Sequence, residues 1–254
     1  MEELPDLTSP EVFSLIFIAG WLIIVARYFL VAGIFHMIFY LKGTALERPR
    51  KIHPKAYPEG QFKMEIRWSI ISSAIFALIF AIMIVMWQYG YTRIYLEINR
   101  YSWWYVPMSL ALAMLLHETY YYWVHRWMHN PKWFKIIHKV HHDSYIPSPW
   151  TAFSFHPYEA ALEAIILPLI LLVMPLHPAV ILVHLVLMTL SSVINHLDIE
   201  IYPKSWVRHP VFQWLIGATH HSLHHREFRT NYGLYFTFWD RWMKTESNKY
   251  KNML

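Results

Sequence analysis

The residues best suited to chemistry in this chain are histidines, which fall in three short clusters. The chain has 17 histidines and no cysteine. We define three histidine boxes: His125 and His129; His138, His141 and His142; and His221, His224 and His225. Residues three or four apart share a helix face, so each box predicts imidazoles that point the same way. Without thiolates, any metal here must be bound by imidazole, carboxylate or water, and imidazole suits iron, zinc, copper and nickel.

The number of histidines in the boxes indicates more than one metal ion. A zinc site takes three or four protein ligands, and the boxes hold eight imidazoles. Together they predict two metal ions in a shared site. Isolated histidines are more often core or surface residues, and we expect this of five others: His36, His53, His177, His184 and His209.

The composition indicates one membrane-embedded domain. Of the 254 residues, 56% are hydrophobic and 15% are charged, whereas a soluble domain has about 25% charged residues. No linker divides the chain, so we expect a single domain over residues 1–254. The absence of cysteine excludes disulfides, zinc–thiolate sites and iron–sulfur clusters. The net charge of +5 is modest, and no nucleotide-binding motif or nucleic-acid-binding stripe is present, so we expect no nucleic acid partner.

Four apolar regions must position the boxes, and all four predict helices. Residues 12–41, 69–89 and 103–122 each reach the roughly 20 residues that cross a bilayer. Residues 160–194 contain three prolines and predict a helical hairpin that enters the membrane and returns. Such a hairpin is required if boxes before and after it bind one metal centre. The expected fold is all-α, a membrane bundle of three spans and a hairpin with a histidine-rich helical cap.

The charge distribution predicts the orientation in the membrane. The loop 42–67 carries seven Lys and Arg residues, which the positive-inside rule places in the cytoplasm. Residues 1–11 are acidic and are then expected on the other side. The third span returns the chain to the cytoplasm, so all three boxes should lie there. The membrane would be that of the endoplasmic reticulum in a eukaryote or the inner membrane in a bacterium.

These motifs resemble the fatty acid hydroxylase/sterol desaturase superfamily of membrane-bound di-iron enzymes. The boxes match its His-x3-His, His-x2-His-His and late His-x2-His-His pattern, and the resemblance covers roughly residues 65–245. Residues 217–221, 231–233 and 238–241 most resemble sterol C5-desaturases. The resemblance adds His156 and His196 to the expected metal ligands.

The resemblance implies an oxidation in lipid biosynthesis. Two iron ions, supplied with electrons from outside, would use dioxygen to hydroxylate or desaturate a lipid C–H bond. Sterol, fatty acyl, sphingoid and carotenoid substrates all occur in the superfamily, so the substrate and the outcome stay open. Because only 11 residues precede the first span, we expect the electron donor to be a separate protein, such as a b-type cytochrome, a ferredoxin or a flavoprotein reductase.

A ligand histidine usually donates its second N–H to a carboxylate or carbonyl group. The candidate carboxylates are Glu118, Asp143, Glu159, Asp198 and Asp240. We favour Glu118 as the catalytic-site carboxylate, because seven residues, close to two helical turns, separate it from His125.

Two other functions stay open at this point. One is metal transport or storage, and the other is a zinc-dependent membrane hydrolase. A transporter should carry its polar ligands within the spans, whereas these boxes follow them. A zinc hydrolase needs a general base beside its ligands, and the chain has no HExxH motif.

Overall fold

The computed structural model describes residues 6–41 and 50–253, and most of these residues are helical. No β-strand occurs within these two ranges, so the predicted all-α fold is confirmed. Parts of the predicted acidic N-terminus and basic loop, residues 1–5 and 42–49, lie outside the described residues. The α-helices in the described ranges are α1 Pro10–His36, α2 Gln61–Gln88, α3 Tyr105–Met128, α4 Pro131–Ile137, α5 Lys139–His142, α6 Pro157–Ala164, α7 Ile166–Val173, α8 Pro178–Asn195, α9 Ala218–Glu227, α10 Phe238–Trp242 and α11 Tyr250–Met253.

Three of the described helical segments are long and apolar enough to cross a membrane. They are Pro10–Leu41, which is α1 extended by a π-helical turn, Gln61–Gln88 and Pro178–Asn195. The first two correspond to the first two predicted spans. Large apolar side chains such as Leu15 and Leu182 are exposed on these helices, as expected of surfaces that face lipid.

The third predicted span, residues 103–122, does form a helix, α3, but that helix is not among the three apolar ones. Its second half carries His117, Glu118 and Arg126, which lower its hydropathy. His117 and Glu118 are buried against other helices rather than exposed to lipid. The third sufficiently apolar segment of the described chain is instead α8, in the predicted hairpin.

The hairpin over residues 160–194 runs away from the histidine boxes and then returns to them. Its turn lies against the loop that follows α2, where the amide of Tyr95 donates to the carbonyl of Leu176 at 3.2 Å. At the other end of α8, the Ser192 hydroxyl donates to the carbonyl of Ala152 at 3.0 Å. A core cluster between α2, α3, α7 and α8 holds the hairpin in place.

A buried carboxylate fixes the segment that follows the second box. Glu65 on α2 is fully buried and accepts hydrogen bonds from Gln61 Nε2 at 2.6 Å, Ser148 Oγ at 2.6 Å and Thr151 Oγ1 at 2.9 Å. The Tyr28 hydroxyl on α1 donates to the carbonyl of Trp150 at 2.9 Å. Both spans are therefore attached to the 148–153 segment, which follows the second box.

Candidate metal centre

Four helix segments bring histidine side chains to one place. His125 lies in the last turn of α3, and His129 caps that helix at its C-terminus. The short helix α5 and its N-cap carry the second box, and α9 carries the third. α8 ends at its C-cap His196, so the returning arm of the hairpin supplies a ninth histidine.

The nine histidines form two groups that are suited to hold one metal ion each. The first, which we call the five-histidine group, consists of His125, His129, His138, His142 and His224. The second, the four-histidine group, consists of His141, His196, His221 and His225. Within each group the ring nitrogens lie within 4.8 Å of one another. The structure therefore joins all three boxes and His196, and their binding of metal stays a prediction.

The nitrogen spacing is that of ligands around an ion. In the five-histidine group, Nε2 pairs are separated by 3.1 Å in His125–His138, His129–His224 and His142–His224. In the four-histidine group, the distances are 3.1 Å for His196–His141 and 2.9 Å for His196–His221. Two nitrogens that bind one ion at about 2.1 Å and at right angles are about 3.0 Å apart.

The proton positions on two of these rings support the same conclusion. His125 Nδ1 donates to the carbonyl of Tyr232 at 2.8 Å, and His138 Nδ1 donates to Glu159 Oε1 at 2.6 Å. Both neutral rings therefore carry their proton on Nδ1, and their bare Nε2 lone pairs face each other at 3.1 Å. Lone pairs at this distance repel unless a cation lies between them, so the residues fit a metal ion.

Two further rings are oriented in the same way. His196 Nδ1 donates to the carbonyl of Ser192 at 2.7 Å, and His224 Nδ1 donates to the carbonyl of Thr230 at 2.7 Å. Burial lowers the pKa of His125 to about 4 and that of His196 to about 4. Burial, followed by the neighbouring histidines, lowers the pKa of His142 well below its ordinary value. The rings are thus neutral at physiological pH, which is the form that binds metal.

The second and third boxes are divided between the two groups. His141 belongs to the four-histidine group, while His138 and His142 of the same box belong to the five-histidine group. Likewise, His224 belongs to the five-histidine group, while its neighbour His225 belongs to the other. Each of these boxes therefore contributes to both positions, which differs from our prediction that a box presents its imidazoles in one direction.

His156, predicted as a metal ligand, lies outside both groups. It is the N-cap of α6, where its Nδ1 accepts a hydrogen bond from the amide of Tyr158 at 3.3 Å. Its ring packs against Trp68, with 6.0 Å between ring centroids. The proline that follows it begins the helix, so the ring is used as a cap and does not reach the other imidazoles.

Glu118, which we favoured as the carboxylate of the site, forms no direct hydrogen bond to a grouped histidine in the described part of the chain. Its carboxylate accepts hydrogen bonds from the amides of Leu234 at 3.2 Å, Tyr235 at 2.6 Å and Phe236 at 3.3 Å. The carboxylate that contacts a ligand ring is Glu159, through His138. Glu159 was among the candidates, but its distance along the chain from the first box gave no reason to prefer it.

Glu118 and Asp240 together hold the loop that orients His125. Asp240 accepts hydrogen bonds from the amides of Tyr232 and Gly233, each at 2.9 Å. A Cβ atom on Gly233 would lie 2.8 Å from Glu118 Oε1 and 2.6 Å from a backbone oxygen, so only glycine fits there. The two carboxylates thus satisfy five successive amides and fix the Tyr232 carbonyl that accepts from His125.

We expect Glu118→Ala to destabilise the fold. The substitution leaves three buried amides without acceptors, and each such loss costs about 1–3 kcal/mol, so the free energy of unfolding should fall by about 3 kcal/mol or more. Thermal unfolding in detergent measures this. Asp143→Ala is the control, because Asp143 forms only an exposed ion pair with Lys139 and should change little. An unchanged unfolding temperature in Glu118→Ala would contradict the assignment.

The five isolated histidines lie outside both metal groups. His53 Nδ1 pairs with Asp198 at 2.5 Å. His177 caps α8, and His209 Nδ1 accepts from the amide of Val211 at 3.2 Å. His36 packs among aromatic rings, stacking on Tyr40. His184 contacts His117 and is treated below.

Two cavities lie among the helices of the described chain, and the smaller one adjoins the metal centre. The larger, of about 250 Å³, is enclosed by residues of α1, α2, α3, α6, α7 and α8. The smaller, of about 20 Å³, shares Phe76, Glu163 and Met188 with it. Two side chains that line the smaller cavity touch the histidines: Tyr121 packs on His125 with ring centroids 5.2 Å apart, and Phe155 packs on His141 at 5.1 Å.

The sequence model of the fatty acid hydroxylase family matches residues 110–245, just over half of the chain, and includes all three boxes. The chain belongs to the fatty acid hydroxylase family. No solved structure matches the chain.

Curated members of the family with similar sequences include sterol desaturases. A Delta(7)-sterol 5(6)-desaturase of Gibberella zeae is 27% identical over 85% of this chain and 67% of its own length. The corresponding enzyme of Candida albicans is 29% identical over 91% and 55% of the two chains. The lathosterol oxidase of Rattus norvegicus is 31% identical over 74% and 62%. The chain thus spans between about half and two thirds of the length of these relatives.

Proposed function

We propose that this protein is a membrane di-iron oxygenase, which uses dioxygen and external electrons to hydroxylate or desaturate a C–H bond of a sterol-like or fatty acyl lipid. The observation that carries the proposal is the convergence of nine imidazoles in two groups, with Nε2 atoms about 3 Å apart. The named activities of the relatives support a sterol-like substrate.

The five-histidine group favours iron over zinc. Five imidazoles exceed the four protein ligands of a tetrahedral zinc site. Neither group includes a carboxylate in the described part of the chain, and the sequence has no cysteine. Bound in the two groups, the iron ions would supply the redox chemistry that oxidises an unactivated C–H bond with dioxygen.

The protein's own side chains would orient the ligands and exclude water. Glu159 and the carbonyls of Tyr232 and Thr230 fix three ligand rings through Nδ1, so their Nε2 atoms are held inward before metal binds. Tyr121 and Phe155 cover the rings on the side of the cavities. The lipid would occupy the 250 Å³ cavity, whose lining is mostly apolar and borders the membrane helices.

We propose that a separate b-type cytochrome, ferredoxin or reductase delivers the electrons on the cytoplasmic side. Exposed basic residues flank the second and third boxes: Lys132, Lys135, Lys139, Arg226 and Arg229. Such a surface attracts an acidic donor. The reduction rate by an acidic donor protein should therefore fall as ionic strength rises, and stopped-flow measurements would show it. A rate independent of salt would contradict an electrostatic docking surface.

Metal analysis combined with oxygen consumption tests the proposed function. Purified protein should contain about two irons per chain and should consume oxygen when a lipid substrate and reductant are added. Lipid profiles of cells with and without the protein should differ by a product that has gained one oxygen atom or lost two hydrogen atoms. One zinc per chain, with no oxygen consumption after iron reconstitution, would overturn the proposal.

A further inference from the structure

The large cavity contains a polar cluster that the metal chemistry does not use. Of its eighteen lining residues, four carry a polar group: Arg27, His117, Glu163 and His184. His117 and His184 are buried at 5% and 2% exposure, and neither belongs to a metal group. A polar side chain in a cavity otherwise lined by apolar ones indicates contact with a polar atom of the ligand.

Three side chains meet at their polar atoms, and we call them the His117 triad: His117, His184 and Tyr235. His117 Nδ1 lies 3.0 Å from His184 Nε2 and 3.1 Å from the Tyr235 hydroxyl oxygen, which lies 3.5 Å from His184 Nε2. The other nitrogen of His184, Nδ1, is buried and has no partner in the described part of the chain.

We assign the proton positions in the triad from its hydrogen-bond contacts. A proton on His184 Nδ1 would be a buried donor without an acceptor, which is costly, so we assign the His184 proton to Nε2. His184 Nε2 and the Tyr235 hydroxyl then both donate to His117 Nδ1. With Nδ1 as acceptor, neutral His117 carries its own proton on Nε2. Both side-chain hydrogen bonds of His117 in the described part of the chain use Nδ1, which leaves Nε2–H for a ligand in the cavity that the ring lines.

The lining of the cavity suits a ligand that is mostly hydrocarbon. Fourteen of its eighteen lining residues carry no polar group, and burial raises the pKa of the Glu163 carboxyl to about 8, so this group is largely uncharged at pH 7. A hydroxyl group is neutral, can accept the hydrogen bond from His117 and leaves the apolar lining to its hydrocarbon body.

We propose that His117 is a specificity-determining residue, whose Nε2–H donates to the hydroxyl oxygen of a lipid alcohol bound in the cavity. Tyr235 and His184 are the positioning residues that hold His117 in this tautomer. The inference rests on the proposed function, because it takes the cavity as the substrate pocket. Glu118 accepts a hydrogen bond from the amide of Tyr235, so the same carboxylate supports both the His117 triad and the loop that orients His125.

Probe binding measured without added reductant tests the proposal in the absence of turnover. Cholestanol and its hydrocarbon counterpart cholestane are titrated against the full-length protein in nanodiscs, and octadecanol and octadecane form a second pair. The native protein should bind the alcohol of a pair about tenfold more tightly than the hydrocarbon. Preference in both pairs assigns the site to lipid alcohols in general, and preference in the first pair alone assigns it to sterols.

His117→Phe should abolish this preference and leave the affinity for cholestane within about twofold, whereas His117→Gln, which keeps an N–H donor, should retain part of it. Met83→Ala is the control in the same cavity, and it should weaken the binding of both probes equally.

If His117→Phe does not fold, Tyr235→Phe, which removes one hydroxyl, should reduce the preference. The proposal would be overturned if His117→Phe kept the full preference for the alcohol over the hydrocarbon. If Tyr235→Phe is used in its place, full preference in that variant would overturn the proposal. Since the probes are bound but not turned over, this result is independent of the iron content and of oxygen consumption.

Discussion

Replacing His196 by alanine is expected to reduce the iron content from about two to about one per chain and to lower turnover at least about 100-fold. His196 Nε2 lies 2.9 Å from His221 Nε2 and 3.1 Å from His141 Nε2, so it contacts two other members of the four-histidine group. Its loss would leave three imidazoles there, while the five-histidine group would be unchanged. Metal analysis of the purified variant and oxygen consumption with lipid and reductant measure the two effects.

His156→Ala is the matched control. His156 was also predicted as a ligand, but it caps α6 and lies outside both groups. We expect the variant to retain both irons and most of its activity, with a modest loss of stability, since a lost cap costs about 1 kcal/mol. If His156→Ala loses an iron while His196→Ala keeps both, the division of ligands proposed here is wrong.

Glu159→Ala is expected to lower the iron affinity or the activity by about 10- to 100-fold, the usual effect of removing the carboxylate that orients a ligand histidine. Glu159 Oε1 accepts the Nδ1 proton of His138 at 2.6 Å, and both side chains are buried. Without this acceptor, the His138 ring is free to turn its bare nitrogen away from His125. Glu159→Gln keeps an acceptor oxygen, so it should lose less.

The comparison with Glu118 separates orientation from stability. Glu118 and Glu159 are both fully buried carboxylates, but one accepts from backbone amides and the other from a ligand ring. Glu118→Ala should therefore lower the unfolding temperature more than Glu159→Ala does. Glu159→Ala should weaken iron binding more, as measured by competition with a chelator. Equal effects of the two substitutions on iron affinity would contradict the distinction.

The sequence alone was sufficient for the main features of the site and for the fold class. The spacing of the boxes identified eight of the nine grouped histidines, because residues three or four apart on a helix are neighbours in space. The resemblance supplied His196. The apolar regions predicted the helices, since a segment inside a bilayer must satisfy its backbone hydrogen bonds internally. The hairpin followed from the requirement that the second and third boxes meet.

Only the tertiary structure decided how these residues are divided and supported. Helical periodicity gives the direction of a side chain relative to its own helix, but not its distance from a residue on another helix. For this reason the sequence could not show that His141 and His142 belong to different groups, or that Glu159 rather than Glu118 contacts a ligand ring. The cavities and the His117 triad also depend on helices that are distant in the chain, so they arise from packing and have no local pattern.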